Sequence, residues 1–166
     1  MSFDNNIATI TGILKTSDGK RYDVEYDLTE ENGAWKIFHV IVFNSSSGIA
    51  GTGMRFTKFV VGTGFDAHNV VTFPTTVFKQ GTEDIYLNLY VTNIKAHTEV
   101  EVVFKHLDSD STIPPVSKTV PEGGNAVLAF IFSPPPSGWP AGNYRLLASS
   151  STGETAIYDF KVEGSK

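Results

Sequence analysis

Short segments in which apolar residues alternate with polar ones fill the chain from residue 54 onward, and no other feature limits the possible folds as strongly. Turn-forming clusters such as Pro114-Pro115, Glu122-Gly123-Gly124-Asn125 and Pro134-Pro135-Pro136-Ser137-Gly138 separate them, because these residue types end strands. The segments span 54–61, 69–78, 84–93, 98–106, 116–121, 125–132, 142–150 and 155–163. Strands at this spacing, with no helical period between them, predict an antiparallel sandwich of seven or eight strands.

Residues 7–43 predict three more strands, arranged as an antiparallel meander. In the middle strand Asp23, Glu25 and Asp27 alternate with Tyr22, Val24, Tyr26 and Leu28, which divides it into one wet and one buried face. The dipeptides Asp18-Gly19 and Asn32-Gly33 suit the tight hairpin turns at its two ends.

The third strand of this meander, residues 35–43, is apolar on both faces. A meander places its third strand at an edge, where a bare apolar strand invites association. Upstream helices, the downstream part of the chain or a second copy could cover it. The candidate interface residues are Trp35, Phe38, Val40 and Val42.

Residues 45–53 are rich in Gly and Ser and cannot build a core. They predict a linker between a first unit, residues 1–44, and a second unit, residues 54–166.

The composition is that of a globular protein, since 40% of the 166 residues are hydrophobic and 19% are charged. A formal net charge of -5 without a basic stripe argues against a nucleic-acid partner. The absence of cysteine excludes disulfides, thiolate metal sites and thiol nucleophiles. No apolar run is long enough for a transmembrane segment, and residues 1–4 lack the features of a secretory signal, so if the protein is exported its signal is not in this chain.

No residue pattern predicts catalysis, a metal or a cofactor. The four histidines, His39, His68, His97 and His106, have no spacing that would bring them together on a metal. Gly62-Thr63-Gly64 lacks the following helix that a phosphate-binding loop needs. We therefore expect a protein that is not an enzyme and that uses no cofactor.

Three aromatic residues are candidates for an exposed binding platform. Tyr86 and Tyr90 point away from the predicted core, and Trp139 lies in a loop flanked by proline. Exposed aromatic rings can stack on sugars or anchor a protein interface. The alternative is that these rings pack under loops or between the sheets.

Four stretches of the first unit resemble the C-terminal strands of the nuclear-transport-factor-2-like superfamily, a cystatin-like, cone-shaped α+β fold. They are Ile10-Thr11-Gly12, Asp18-Gly19-Lys20, Val24-Glu25-Tyr26-Asp27-Leu28 and Asn32-Gly33-Ala34-Trp35-Lys36-Ile37. The helices that such domains pack on their sheet have no counterpart here. The resemblance therefore implies a partial cone-shaped domain, either cut from a longer protein or covered in another way.

The second unit resembles the immunoglobulin-like sandwiches that are appended to secreted and envelope proteins of prokaryotes. The resemblance rests on Ser133-Pro134-Pro135, on residues 138–146 and on the closing strand 158–163. In sandwiches of this type the tyrosine at the position of Tyr144 buries its ring and ties down a corner with its hydroxyl, while a glycine such as Gly142 permits a close approach.

Together these patterns predict a mainly β protein, in which a partial cone-shaped meander precedes an immunoglobulin-like sandwich. We expect a non-enzymatic, extracytoplasmic interaction or structural module, such as a subunit of a cell-envelope or extracellular assembly, whose partner is a protein or a second copy. The first alternative is a carbohydrate-binding module that uses its exposed aromatic residues. The second is a fragment of a small-ligand-binding or enzymatic cone-shaped domain.

Overall fold

The computed structural model describes residues 2–4, 7–19, 21–31, 34–44 and 53–164. Within these ranges it contains strands and turns and no helix, and so no helix long and apolar enough to cross a membrane. The strands are β1 (Ser2–Asp4), β2 (Ile7–Lys15), β3 (Arg21–Glu31), β4 (Ala34–Asn44), β5 (Arg55–Phe65), β6 (Val71–Pro74), β7 (Val77–Lys79), β8 (Ile85–Ile94), β9 (Glu99–His106), β10 (Ser111–Thr119), β11 (Gly124–Phe132), β12 (Gly142–Ser150) and β13 (Thr155–Glu163).

The strands form two sheets. The large sheet has the order β1-β2-β3-β4-β13-β12-β9-β10, with β7 alongside β13, and the small sheet has the order β11-β8-β5-β6. The second half of the large sheet packs against the small sheet, and this pair of layers is the predicted sandwich. The mainly β fold class with an immunoglobulin-like sandwich is therefore confirmed, whereas the likeness of the meander to cone-shaped domains stays a prediction.

The core lies between the two sheets and follows the predicted alternation. On β8, the inward residues Ile85, Leu87 and Leu89 have no exposed surface. Across the layers, the ring of Phe104 on β9 stacks on the ring of Phe132 on β11, with centroids 3.9 Å apart. Burial of such side chains contributes about 1.5 to 3 kcal/mol each and is the main stabilising term of the sandwich.

The predicted strand 69–78 is two short strands that belong to different sheets. β6 pairs with β5 in the small sheet, and β7 runs parallel to β13 in the large sheet. β6 ends with Phe73, which has a positive φ of 48°, and with Pro74, which has no amide hydrogen to donate. The chain then leaves the small sheet and joins the large sheet at β7.

The prediction that Pro114-Pro115 forms a turn is wrong. Both prolines lie inside β10, the last strand of the large sheet, where the register with β9 shifts between Ile113 and Val116. An edge strand leaves one side of its backbone unpaired, so prolines at a bulge cost no ladder hydrogen bond.

The predicted meander is confirmed as β2, β3 and β4, to which β1 adds a short fourth strand. At the turn between β2 and β3, Gly19 has a φ of +82° and its amide donates to the Thr16 carbonyl at 2.9 Å. Val24 on β3 is buried, as the alternation predicts. The second predicted turn, Asn32-Gly33, lies outside the described residues.

The expectation that the third meander strand is the edge of its sheet is wrong at that strand's C-terminal end. Phe43 pairs with Ala156 and Val42 pairs with Ile157, so the chain's own last strand β13 lies beside β4. This pairing is made by residues more than one hundred positions apart, which local patterning does not reveal. Residues 45–52 of the predicted linker lie outside the described residues, and the division into two domains stays a prediction.

Candidate interaction surface

Trp139 lies in the core, so the prediction that it belongs to an exposed platform is wrong. Only 1% of its surface is exposed. Its ring centroid lies 6.0 Å from that of Phe104 and also 6.0 Å, edge-on, from that of Tyr144. The proline-flanked loop folds inward over the end of the sandwich. Burial of the indole removes a large apolar area from water, which favours this inward position. Its Nε1 has no hydrogen-bond partner among the described residues.

Tyr86 and Tyr90 lie on the outer face of the small sheet, as predicted, and both are half-buried. The register places Ile131 of the neighbouring edge strand β11 opposite Tyr86, and Val127 opposite Tyr90. Ile131 is 49% exposed and Val127 is 52% exposed. We call these four residues, Tyr86, Tyr90, Val127 and Ile131, the tyrosine face.

The hairpin formed by the end of β5, residues 66–70 and β6 covers the middle of this outer face. Asn88, between the two tyrosines on β8, is 1% exposed, and the hairpin backbone supplies the hydrogen bonds that its buried amide group needs. Its Oδ1 accepts the Val71 amide hydrogen at 2.7 Å, and its Nδ2 donates to the Asn69 carbonyl at 2.9 Å. The hairpin therefore forms a rim along one side of the tyrosine face.

Gly62 is the residue that permits this close approach. A Cβ at Gly62 would lie 2.5 Å from Val71 Cγ1 and 2.6 Å from the Thr72 carbonyl oxygen. Any side chain at this position would push the hairpin off the sheet. The sequence pattern Gly62-Thr63-Gly64 does not reveal this packing role, because the close approach is a contact of the folded chain.

The tip of the hairpin is held by Asp66. Its Oδ1 accepts the amide hydrogens of Val70 at 2.9 Å and of His68 at 2.8 Å. These backbone hydrogen bonds, the Val70 one first, hold the pKa of Asp66 below its usual value, because they favour the ionised carboxylate. Val70 itself is 48% exposed and adds an apolar side chain to the rim.

The two tyrosine rings do not form one continuous stacking surface. Four residues along a strand separate them, which is about 13 Å, and the buried Asn88 lies between them. The ring of Phe65 also contacts the ring of Tyr86 edge-on, with centroids 4.9 Å apart. Each tyrosine is therefore paired with one exposed aliphatic neighbour on β11 rather than with the other tyrosine.

The outer face of the large sheet is charged by comparison. Arg145 on β12 makes two hydrogen bonds of 2.8 Å to the carboxylate of Asp159 on β13, and this pairing raises the pKa of Arg145. The Lys79 ammonium lies 2.6 Å from the Glu163 carboxylate and lowers its pKa. The exposed apolar positions of the tyrosine face thus stand on the opposite side of the sandwich from these ion pairs.

The candidate interface residues of the meander are only partly described. Trp35 is 45% exposed, and its backbone pairs with Glu30 of β3. The side chains of Phe38, Val40 and Val42 lie outside the described part of the structure. Their role as an interface therefore stays a prediction.

The predicted roles of Tyr144 and Gly142 at the corner are confirmed. The Tyr144 hydroxyl donates to the Pro140 carbonyl at 2.9 Å, and burial, followed by the nearby Asp108 carboxylate, raises the pKa of Tyr144 to about 12. Gly142 has a φ of +148°, and a Cβ there would lie 2.2 Å from Asp108 Oδ2 and 2.3 Å from His106 Nε2.

A polar cluster beside this corner brings His106, Asp108 and Ser109 together. His106 Nδ1 lies 2.6 Å from Ser109 Oγ, whereas its Nε2 lies 3.2 Å from the Ala141 carbonyl and 3.9 Å from Asp108 Oδ2. The Asp108 carboxylate accepts the Asn143 amide hydrogen at 3.0 Å. These hydrogen bonds tie the turn after β9 to the start of β12, so the cluster has a structural explanation.

The structure describes the side chains of two further histidines. His68 and His97 are exposed, and the side chain of His39 lies outside the described residues. Across the described ranges, no group of three or more His, Cys, Asp or Glu side chains could hold a metal ion.

No family model matches the sequence, and no curated protein matches it. Solved structures with a similar arrangement include the C-terminal domain of Wzt, with a TM-score of 0.46 and 11% identity over 70% of this chain and 75% of that chain. A Niemann-Pick type C2 protein from the Japanese carpenter ant has a TM-score of 0.40 and 12% identity over 70% of this chain and 96% of that one. A Listeria innocua β-glucosidase in complex with laminaribiose has a TM-score of 0.42 and 10% identity, and the match covers 80% of this chain but 17% of the enzyme.

Similarities at this level of identity and TM-score indicate no function for this chain. The fold is defined by the chain's own strand register. The class that the fold and the surface define is an all-β sandwich, extended by a meander, with an apolar, tyrosine-bearing outer face on its small sheet.

Proposed function

We propose that this protein is a non-enzymatic, extracytoplasmic interaction module that docks a protein partner on its tyrosine face. The observation that carries the proposal is the exposure of Val127 and Ile131, 52% and 49%, beside two half-buried tyrosines. Clustered apolar exposure of this kind marks interaction sites on soluble domains, and tyrosine is enriched at the energetic centres of interfaces.

The partner best suited to this surface presents apolar side chains in an extended segment. Val127 and Ile131 lie four residues apart on one strand, about 13 Å, so apolar side chains spaced at even intervals along an extended segment would meet both. The partner would lie on the face rather than add a strand to β11. β10 of the large sheet comes close to β11, and its Lys118 ammonium lies 5.6 Å from the centroid of the Phe130 ring.

The location outside the cytoplasm is supported by the resemblance of residues 133–146 and 158–163 to envelope sandwiches. Fractionation of the native cells, followed by detection with an antibody against the folded chain, tests it. We expect the protein in the envelope or extracellular fraction. Recovery in the cytoplasm alone would overturn the location and leave the docking face to be tested separately.

The docking face is tested by the double variant Val127→Lys with Ile131→Lys. The matched control is Leu147→Lys, which changes a 39% exposed residue on the outer face of the large sheet. We expect the wild type and the control to co-sediment with the protease-sensitive proteins of the native envelope fraction, and the double variant to remain in solution. Equal binding by all three proteins would contradict the proposal.

Carbohydrate is the second candidate ligand, favoured by the outward position of the Tyr86 and Tyr90 rings. A glycan array and titration calorimetry with soluble oligosaccharides distinguish it from a protein partner. Saturable glycan binding that is lost in Tyr90→Ala would establish the sugar as the ligand. Our first proposal expects no glycan to be retained.

A further inference from the structure

The outer edge of β2 is one of the uncovered strand edges in the described structure. β1 pairs only with Ile7, Ala8 and Thr9, so no described strand lies beside residues 10–15 on that side. This stretch is exposed throughout, with Ile13 at 62%, Leu14 at 45% and Ile10 at 39%. An uncovered strand edge presents unpaired backbone donors and acceptors, which form a template for another strand.

Two of the other sheet edges have features that block such pairing. β10 contains Pro114 and Pro115 at a bulge, and β6 is 4 residues long and ends at Pro74. β11 lies close to β10 of the large sheet, whose Lys118 ammonium is 5.6 Å from the centroid of the Phe130 ring. By contrast, β2 contains no proline and no charged residue before Lys15, and its register with β3 runs without a bulge from Ile7 to Lys15.

We propose that β2 pairs with β2 of a second copy of this chain, antiparallel and about a two-fold axis near Gly12, to form one continuous sheet through both copies. This inference goes beyond the proposed function, because it uses a different surface and a different partner. The segment is self-complementary in this register. Ile10 lies opposite Leu14 of the second copy, Thr11 lies opposite Ile13, and the two copies of Gly12 face each other. Each opposed pair is neutral, and apolar residues meet apolar residues or threonine, pairs that stabilise a sheet.

A strand pair of this length forms a small interface, below the roughly 1,200 Å² of buried surface at which stable complexes begin. The dimer is therefore weak and depends on concentration. Size-exclusion chromatography with light scattering, from about 10 µM to about 1 mM, should show a rising dimer fraction in the wild type. A monomer throughout this range would overturn the proposal.

Gly12 offers a variant that tests the pairing without disturbing the monomer. No atom lies within 4 Å of a Cβ built at this position, and Gly12 is not among the glycines with positive φ. Gly12→Lys would place two ammonium groups opposite each other across the axis, and we expect dimerisation to weaken roughly fivefold. Gly12→Thr is the neutral control and should dimerise at least as well as the wild type. Equal dimerisation of Gly12→Lys and Gly12→Thr, with unchanged circular dichroism, would contradict the register.

The absence of native cysteine permits a direct measurement of contact. Opposed residues of antiparallel strands have Cα atoms about 4.5 to 5.5 Å apart, a separation that a disulfide can bridge. We expect Gly12→Cys to oxidise rapidly to a covalent dimer. Ser117→Cys, on the proline-protected edge strand β10, is the exposed control and should stay monomeric. Slow oxidation of Gly12→Cys at the rate of the control would overturn the proposal, and this result is independent of the docking face on the small sheet.

Discussion

The sandwich and the meander bury their apolar residues in different ways. In the sandwich, two sheets face each other, and residues such as Leu87 on β8 and Leu146 on β12 have no exposed surface. In the meander, the same kind of alternation on β2 leaves Ile10 and Leu14 of its apolar face exposed at 39% and 45%. A strand pattern predicts which residues share a face, whereas burial requires a second layer over that face. The meander instead extends the large sheet sideways through the short pairing of β4 with β13.

The largest expected difference between the two regions is the cost of removing an apolar side chain. Phe104 contacts three aromatic rings in the core, those of Phe132, Trp139 and Phe160, so Phe104→Ala should lower the free energy of unfolding by about 3 to 5 kcal/mol. Ile13→Ala in the meander should change it by less than about 0.5 kcal/mol. Urea denaturation measures both. Similar losses for the two variants would show that the meander has a buried layer of its own.

A glycine in each region sharpens the comparison. Gly142→Ala places a Cβ 2.2 Å from Asp108 Oδ2 in a residue with a φ of +148°, and we expect a loss of about 2 to 4 kcal/mol. Gly12→Ala meets no atom within 4 Å, so its effect should lie within about 0.5 kcal/mol. Thermal unfolding of the two variants gives the comparison, and an equally stable Gly142→Ala protein would refute the packing described at this corner.

Tyr144→Phe should have a smaller effect, about 1 kcal/mol, because it removes one hydrogen bond, to the Pro140 carbonyl, and keeps the buried ring. The pH dependence of stability distinguishes the role of the Tyr144 hydroxyl from that of other groups. The pKa of Tyr144 is raised to about 12 in the folded protein, so the unfolded chain loses the phenolic proton first, and this contribution to stability falls as pH rises from about 10 toward about 12. Tyr144→Phe should show a shallower decline over that interval in denaturation at constant ionic strength. A decline as steep as that of the wild type would assign the effect to other groups.

Local patterns in the sequence predict most strands of the sandwich, because each has one clearly apolar face. The same reasoning misplaced Pro114-Pro115, since proline ends central strands but is tolerated in an edge strand, and edge positions follow from the sheet order. The pairing of Val42 with Ile157 is likewise a long-range contact that no local signal reports.

The candidate surface was only half predictable. The outward position of Tyr86 and Tyr90 follows from the alternation of β8, but the loop around Trp139 gave no sign that it folds inward. The exposed partners Val127 and Ile131 were missed, although β11 does carry a signal. Its residues 126–132 are apolar at every position, so one apolar face must lie outside a sandwich that buries only the other.

The most direct measurement is site-specific photocrosslinking in the native cells. A photoreactive phenylalanine analogue replaces Val127 or Ile131 on the tyrosine face, and Leu147 or Lys161 on the outer face of the large sheet as controls. The proposed function predicts one discrete crosslinked protein from both positions of the tyrosine face and from neither control. Equal crosslinking from the two faces, or no protein crosslink at Val127 and Ile131, would contradict it.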